Sequence, residues 1–140
     1  MIGDDEADRA AVADLVRTFF AAFVSGADSA ARLDDLREAF LPRAVITRTC
    51  GAEPAVYDVE AFIEPRRELL SSGRLTGFRE WEVSGRTDLF GDIAQHFCRY
   101  AKSGAQDGTP FTGGGMKSLQ FVRTPAGWRI SAVAWDDDRA

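Results

Sequence analysis

The fold is decided by the stretch MKSLQFVR-TPAG-WRISAVAWD, which spans residues 116–136. Both arms alternate with a period of two, and the proline-alanine-glycine segment between them is typical of a tight turn. The stretch therefore predicts a β-hairpin. We expect Arg123 to pair with Trp128, and the same register places Phe121 opposite Ile130.

This register gives the hairpin two unlike faces. It pairs Leu119 with Ala132 and leaves one face apolar near the turn, with Lys117 and Asp136 at its far end. We expect this face to close over the core and to leave a pocket at its mouth. The residues predicted for the other face are Arg129, Ser131, Val133, Trp135, Ser118 and Gln120.

Composition predicts one domain, spanning 1–140, that is large enough to bury its own core. The chain has 140 residues, of which 45% are hydrophobic and 28% charged, and its net charge of −5 disfavours duplex nucleic acid or an anionic membrane as a partner. The N-terminus is acidic and has no apolar leader segment, so we expect a cytoplasmic protein. Cys50 and Cys98 are distant in sequence and are expected to be free thiols. One histidine and two distant cysteines predict no metal site, and no cofactor is expected.

The N-terminal half shows mainly helical periodicity. The first predicted helix carries Phe19, Phe20 and Phe23 on one apolar stripe, which is more typical of core, although Phe19 and Phe23 are also candidates for lining a ligand cavity. Pro65 should kink or split the third helix. The first predicted helix starts at Asp4 or Asp5 and ends at Gly26. The second starts at Asp28 or Ser29 and ends at Leu41-Pro42, and the third starts after Asp58.

Strands are predicted after the second helix and again from Gly77, where the period changes to two. A tight turn around Phe90-Gly91 would pair Glu82 with Arg99. Glu80 and Glu82 share one strand face and could form a carboxylate pair, but the predicted pairing favours a surface ion pair between Glu82 and Arg99. The glycine-rich segment 103–115 is predicted to be a mobile loop at the mouth of the pocket. The two strands predicted between the second and third helices are 44–50 and 55–57. The inner face of the long hairpin is expected to carry Trp81, Val83, Cys98, Tyr100 and His96.

Three helices, one short hairpin and a four-strand meander predict an α+β fold, with the first helices covering the concave face of a curved antiparallel sheet. The most distinctive segments are FFAAF (19–23), LREAFLPRAVI (36–46), DIAQH (92–96) and GWRI (127–130), with Trp135. In these segments and in the order of its elements the chain resembles the NTF2-like superfamily, in particular its SnoaL-like or DUF4440-type members.

This resemblance implies a conical, cystatin-like barrel with a mostly apolar pocket, and frequent homodimers through the sheet. Members of the superfamily include isomerases, dehydratases, cyclases, hydrolases and binding modules, so the fold does not by itself give the function. Its enzymes use acid–base residues inside the cone, often an aspartate with a tyrosine or a histidine. No one of those catalytic signatures aligns with this chain.

The candidate catalytic residues are His96, Asp136 and Tyr100, which the predicted registers place at the pocket. Histidine titrates near neutral pH, and a neighbouring carboxylate would orient it and stabilise its charged form. One alternative for His96 is a core or interface histidine satisfied by one hydrogen bond. The alternative for Lys117 and Asp136 is a salt bridge between neighbouring strands, or two solvated ends. The candidate ligand-binding residues are Trp81, Lys117, Tyr57, Arg48, Phe19 and Phe23.

Three functions are compatible with the sequence. The first is binding of a small, largely apolar molecule in the cone. The second is a cofactor-free isomerase or dehydratase that uses His96 with Asp136 and Tyr100. The third is a homodimeric interaction module whose exposed Trp135, Val133 and Met116 form a sheet-to-sheet interface.

Overall fold

A curved six-stranded sheet carries three helices on its concave side in the computed structural model, which describes residues 2–139. Within that range, no helix has both the length and the apolar character needed to cross a membrane. The helices are α1 (Ile2–Ala21), α2 (Ser29–Ala39) and α3 (Val59–Ser71). The strands are β1 (Phe40–Arg48), β2 (Ala55–Tyr57), β3 (Leu75–Phe90), β4 (Ile93–Gln106), β5 (Thr109–Thr124) and β6 (Gly127–Asp137).

The strand order is β2-β1-β6-β5-β4-β3, and every neighbouring pair is antiparallel except β1 with β6. The predicted α+β class and the packing of three N-terminal helices against a curved sheet are confirmed. The sheet is mixed rather than wholly antiparallel, because the first strand joins the edge of the last one and runs in the same direction.

The apolar stripe of α1 lies in the core, where Phe19 and Phe23 pack edge-to-face at a ring-centroid distance of 4.9 Å. The helix ends at Ala21 rather than at Gly26, because the chain then runs beside β3: Val24 forms a β-bridge with Arg79. The predicted split of α3 is wrong, since this helix continues through Pro65.

The closing hairpin has the predicted register only next to its turn. Arg123 pairs with Trp128 and Phe121 with Ile130, but the register shifts beyond Phe121, so that Leu119 pairs with Val133 instead of Ala132. One extra residue in β6, Ser131, forms a β-bulge there. Because neighbouring strand residues point to opposite faces, the bulge reverses every side chain that follows it.

The residues after the bulge in β6 therefore exchange faces. Val133 and Trp135, predicted on the outer face, are buried in the core with exposed fractions of 2% and 9%. They cannot form the exposed interface that the sequence suggested. Asp137, rather than Asp136, follows them on the concave side.

A second bulge, at Val83, changes the long hairpin in the same way. The turn is Gly91-Asp92, and Glu82 pairs with Tyr100 rather than with Arg99. His96, Cys98 and Tyr100 are buried on the inner face, as the alternation predicted. Trp81 and Val83 point outward instead, and Glu80 and Glu82 point inward.

The segment 103–115 is not a loop. β4 continues to Gln106 and β5 begins at Thr109, so that only Asp107-Gly108 lie between the strands. Gly115 is explained by a close contact: a Cβ at this position would overlap the carbonyl oxygen of Asp136 and lie 2.8 Å from the Cα of Asp137. Glycine is required here for the approach of two backbones, which is unrelated to mobility.

We expect Gly115→Ala to lower the free energy of unfolding by about 1–3 kcal/mol, because the added methyl group meets backbone atoms that cannot rotate away. Urea unfolding followed by circular dichroism measures the change. Gly113→Ala is the matched control, since its Cβ would meet only the end of the flexible Lys102 side chain, and it should change stability by no more than about 0.5 kcal/mol. Equal losses in the two variants would contradict this explanation.

Candidate functional site

A cavity of about 390 Å³ lies between α3 and the concave face of the sheet. Its walls are largely apolar and aromatic, as expected of a small-molecule site, with several ionisable side chains among them. The lining residues come from six strands, α3 and the segment that follows α1. The ionisable ones are Arg48, Tyr57, Arg66, Glu80, Tyr100, Lys102, Lys117 and Asp137.

Lys117 is the most deeply buried charged group in this cavity. Its side chain is 4% exposed, and its Nζ lies 3.2 Å from Oε1 of Glu80. The same nitrogen is 4.1 Å from the ring centroid of Tyr100 and 5.0 Å from that of Trp135, so aromatic faces stabilise its charge. Burial lowers the pKa of Lys117, and the charge of Glu80 opposes this change.

Asp137 presents a carboxylate to the cavity from the end of β6. The hydroxyl of Tyr100 donates a hydrogen bond to Oδ1, and Nζ of Lys102 lies 3.2 Å from Oδ2. Burial raises the pKa of Asp137, and the negative charge of Glu80 raises it further, against the opposing effect of a hydrogen bond from Cys50. A carboxylate with a raised pKa is a stronger base than a solvated one.

Arg66 adds a cation from α3. Its guanidinium lies 3.9 Å from the ring centroid of Phe62, and Nη1 donates a 2.9 Å hydrogen bond to the carbonyl oxygen of that residue. Burial lowers the pKa of Arg66, although a guanidinium stays charged at neutral pH. Four basic side chains thus face two carboxylates in the cavity, and this excess of positive charge favours a ligand with an acidic or carbonyl oxygen.

The structure brings together most of the predicted ligand-binding residues. The predicted residues that line the cavity are Tyr100, Lys117, Tyr57, Arg48 and Phe23. Phe19 is fully buried behind them, with its ring centroid 5.6 Å from Nζ of Lys117. Trp81 is on the outer face, where the guanidinium of Arg79 lies 4.2 Å from its ring, so it is displaced from the predicted position.

His96 and Asp136 are not brought together. The imidazole of His96 is buried between Thr87, whose Oγ1 lies 2.7 Å from Nδ1, and Glu82, whose carboxylate contacts Nε2. Asp136 faces the other side of the sheet and forms two hydrogen bonds with Arg139, at 2.7 and 3.0 Å. Neither side chain lines the cavity. The bulge at Ser131 turns Asp136 to the other face, whereas His96 is on the inner face but is enclosed by Thr87 and Glu82.

Sequence reasoning missed Glu80, Arg66 and Asp137. A signal for Asp137 was present in β6, whose large apolar residues are Trp128, Ile130, Val133 and Trp135. The step of three between Ile130 and Val133 breaks the period of two. A bulge at Ser131 follows from that break. No comparable break marks β3. There Trp81 points outward and Glu80 points inward, although apolar residues are usually buried and charged residues usually exposed.

Solved structures share this architecture. A hexachlorocyclohexane dehydrochlorinase, LinA-type3, from Novosphingobium barchaimii has a TM-score of 0.80 at 15% identity, over 99% of this chain and 92% of that one. An NTF2-like protein with a cystatin-like fold from Novosphingobium aromaticivorans has a TM-score of 0.72 at 19% identity, over 94% and 82%. The chain has the NTF2-like, cystatin-like fold. An NTF2-like superfamily protein from Salmonella enterica agrees, with a TM-score of 0.77 at 12% identity, over 97% and 94%.

At these identities the NTF2-like likeness concerns the fold alone. No protein-family model and no curated protein matches the sequence. The chemistry of the cavity must therefore be argued from the residues of this chain.

We expect Lys117→Met to lower the free energy of unfolding by about 3 kcal/mol, because the Glu80 carboxylate loses its closest cation in a buried site. The double variant Lys117→Met/Glu80→Gln should recover most of that loss. Both are measured by urea unfolding.

Lys102→Met is the control for this prediction, because its ion pair with Asp137 is only partly buried. We expect it to cost about 1 kcal/mol or less. A Lys117→Met variant as stable as the wild type, or a double variant less stable than the single one, would refute the buried ion pair.

Proposed function

We propose that the protein binds a small, largely apolar molecule in this cavity and catalyses a cofactor-free proton transfer on it, as an isomerase or a lyase. The observation that carries the proposal is the presence, in one apolar cavity, of a carboxylate with a raised pKa and a buried ammonium group with a lowered one. Groups in a cleft whose pKa values are shifted in these directions are typical of acid–base catalysis.

In the proposed reaction Asp137 is the general base. Its carboxylate takes a proton from a carbon atom next to a carbonyl group of the ligand, and the electron pair moves to the carbonyl oxygen. Lys117 stabilises the resulting enolate, with Arg66 as a second cation. Return of the proton to another carbon atom completes an isomerisation, and loss of a leaving group completes an elimination. Neither route changes the oxidation state of the ligand overall, so no redox cofactor is required.

Tyr100 has a positioning role in this proposal. Its hydroxyl donates a hydrogen bond to one oxygen of Asp137 and holds the carboxylate at the cavity wall. Asp137 and Lys117 thus replace the predicted His96 and Asp136, while Tyr100 is retained. One structural neighbour is named a dehydrochlorinase, which fits the lyase alternative. We also keep the finer classification, a SnoaL-like or DUF4440-type domain, as part of the proposal.

A small probe molecule whose reaction requires only a base tests the role of Asp137. The probe 5-nitrobenzisoxazole opens its ring when a carboxylate removes one C–H proton, and it is small, aromatic and coloured after reaction. We expect turnover to rise with pH through the raised pKa of Asp137 and then to level off, because the ionised carboxylate is the active form. Asp137→Asn should lower kcat/KM by about 100-fold or more.

Asp136→Asn is the matched control, because the neighbouring carboxylate faces the other side of the sheet. It should keep the wild-type rate. Binding of the probe is measured separately by quenching of tryptophan fluorescence, since Trp135 lines the cavity. Binding without turnover above that of free acetate would leave simple ligand binding as the function, and an unchanged rate in Asp137→Asn would exclude this base.

A second copy of the chain is the proposed partner, bound to the convex face of the sheet. Exposed apolar side chains lie on that face, including Ile93 and Phe97, the latter 57% exposed. A groove of about 290 Å³ runs beside them and includes Val122. Large exposed apolar side chains are the chemistry on which association sites are built, and a homodimer through this face does not compete with ligand binding on the concave side.

We expect Phe97→Asp to weaken dimerisation by at least about thirtyfold, because it replaces an exposed apolar ring of the proposed interface with a charge. Sedimentation equilibrium measures the dissociation constant. Val56→Asp is the control, because Val56 is also an exposed apolar side chain (66%) but lies on the short edge strand β2. A wild-type protein that stays monomeric at all concentrations would refute the homodimer.

A further inference from the structure

Three side chains with metal-ligand chemistry meet outside the lining of the cavity. The carboxylate of Glu82, the imidazole of His96 and the thiol of Cys98 each offer one donor atom, and these atoms all lie within 4.8 Å of one another. We name them the Glu82–His96–Cys98 cluster. The sequence predicted no such set, because it treated the histidine as separate from the cysteines and placed Glu82 on the surface.

Strand geometry explains why the cluster forms. His96 and Cys98 are two apart in β4 and therefore point to the same face. The bulge at Val83 turns Glu82 toward them from β3. Gly85 pairs with Cys98 and leaves the space open: a Cβ at this position would lie 2.6 Å from Nε2 of His96 and would overlap the carboxylate of Glu82.

The surroundings of the cluster also match those of a metal site. Thr87 holds Nδ1 of His96 at 2.7 Å, which fixes the ring and directs Nε2 toward the other two donors. Such an outer hydrogen bond is a regular feature of metal-binding histidines. His96 and Cys98 are buried, while the Glu82 side chain is 33% exposed and gives an ion a route from solvent.

We infer that the Glu82–His96–Cys98 cluster binds a divalent transition-metal ion of the zinc type, with water as the fourth ligand. One sulfur, one nitrogen and one oxygen donor suit Zn²⁺, and bond lengths of about 2.0–2.3 Å put the donors of a tetrahedral site roughly 3.5 Å apart. The ion takes the place of the thiol proton of Cys98 and of the proton between His96 and Glu82, and both protons pass to the buffer.

The bound ion would cross-link β3 and β4 next to the bulge. Cys98 also pairs with Lys117 across β4 and β5, so the cluster and the cavity lie on neighbouring parts of the same inner face. The inference does not depend on the proposed reaction, because none of the three donors takes part in it.

Titration of the untagged, metal-free protein with Co²⁺ tests the site, because a cobalt–thiolate bond gives a near-ultraviolet charge-transfer band. We expect one Co²⁺ to bind per chain and to produce that band. The band should disappear when Zn²⁺ is added, because Zn²⁺ displaces Co²⁺. Cys98→Ser should abolish the band, and Glu82→Gln should weaken binding by at least about tenfold. Thr87→Val, which removes only the outer hydrogen bond, should weaken it by about 10–100-fold.

Cys50→Ser is the matched control, since Cys50 is the other free thiol and lies outside the cluster. It should keep the full band and affinity. Circular dichroism of every variant verifies folding, and Glu82→Gln keeps the test valid if a buried substitution unfolds the chain, because Glu82 is partly exposed. Absence of stoichiometric binding to the wild type, or a thiolate band that survives Cys98→Ser, would overturn the inference and leave a simple hydrogen-bonded histidine–glutamate pair.

Discussion

The alternation of side chains along a strand is the constraint on which this molecule depends. A sheet that buries one face must send every second residue inward, and one extra residue reverses all those that follow it. The bulge at Ser131 reverses β6, and the bulge at Val83 reverses the first half of β3 relative to its turn. The polar character of the concave face follows from these two places, because each bulge turns carboxylates inward.

Electrostatic cost limits how those inward charges can be arranged. Removing an ammonium group from water is unfavourable by several kcal/mol even in a relaxed protein interior, and a nearby carboxylate offsets only part of it. Lys117 has Glu80 at 3.2 Å and aromatic rings around it, yet burial still lowers its pKa. A hydrophobic residue of similar size would be the simpler solution for stability. The buried ion pair is therefore not explained by stability alone, and it is one of the features on which the proposed function is based.

Much of the fold could be predicted from periodicity, because local spacing determines which elements form. The stripe that includes Phe19 and Phe23 identifies α1, and the alternation around Phe121 and Ile130 identifies the closing hairpin together with its register beside the turn. The fold class followed from the order of these elements. The glycines of β5 show where local reasoning fails: glycine is compatible with a loop and with close backbone packing, and only the neighbouring strand distinguishes the two for Gly115.

Which side chains reach the site depends on the strand register beyond the two bulges. Local residue spacing does not determine that register. Tyr100 and Lys117 were correctly predicted to face inward, because no bulge lies in β4 or β5 between them and the turns from which the alternation was counted. Asp136 was predicted in place of its neighbour Asp137, because the bulge at Ser131 was not foreseen. Glu80 was assigned to the surface because the bulge at Val83 was not foreseen. His96 and Cys98 were assigned to the correct face, but Glu82 was not, because it comes from the far side of the bulge at Val83.

Glu80 and Glu82 show how the two polar groups of the inner face are linked. They are two apart in β3, so they point to the same face; one contacts Lys117 in the cavity and the other contacts His96 in the cluster. On the adjacent strands Cys98 and Lys117 are direct partners and complete the connection. A change of register in β3 would turn both glutamates outward at once and leave a buried lysine and a buried histidine without their carboxylates. The bulge at Val83 is thus a requirement shared by the cavity and the cluster, which makes their geometries inseparable.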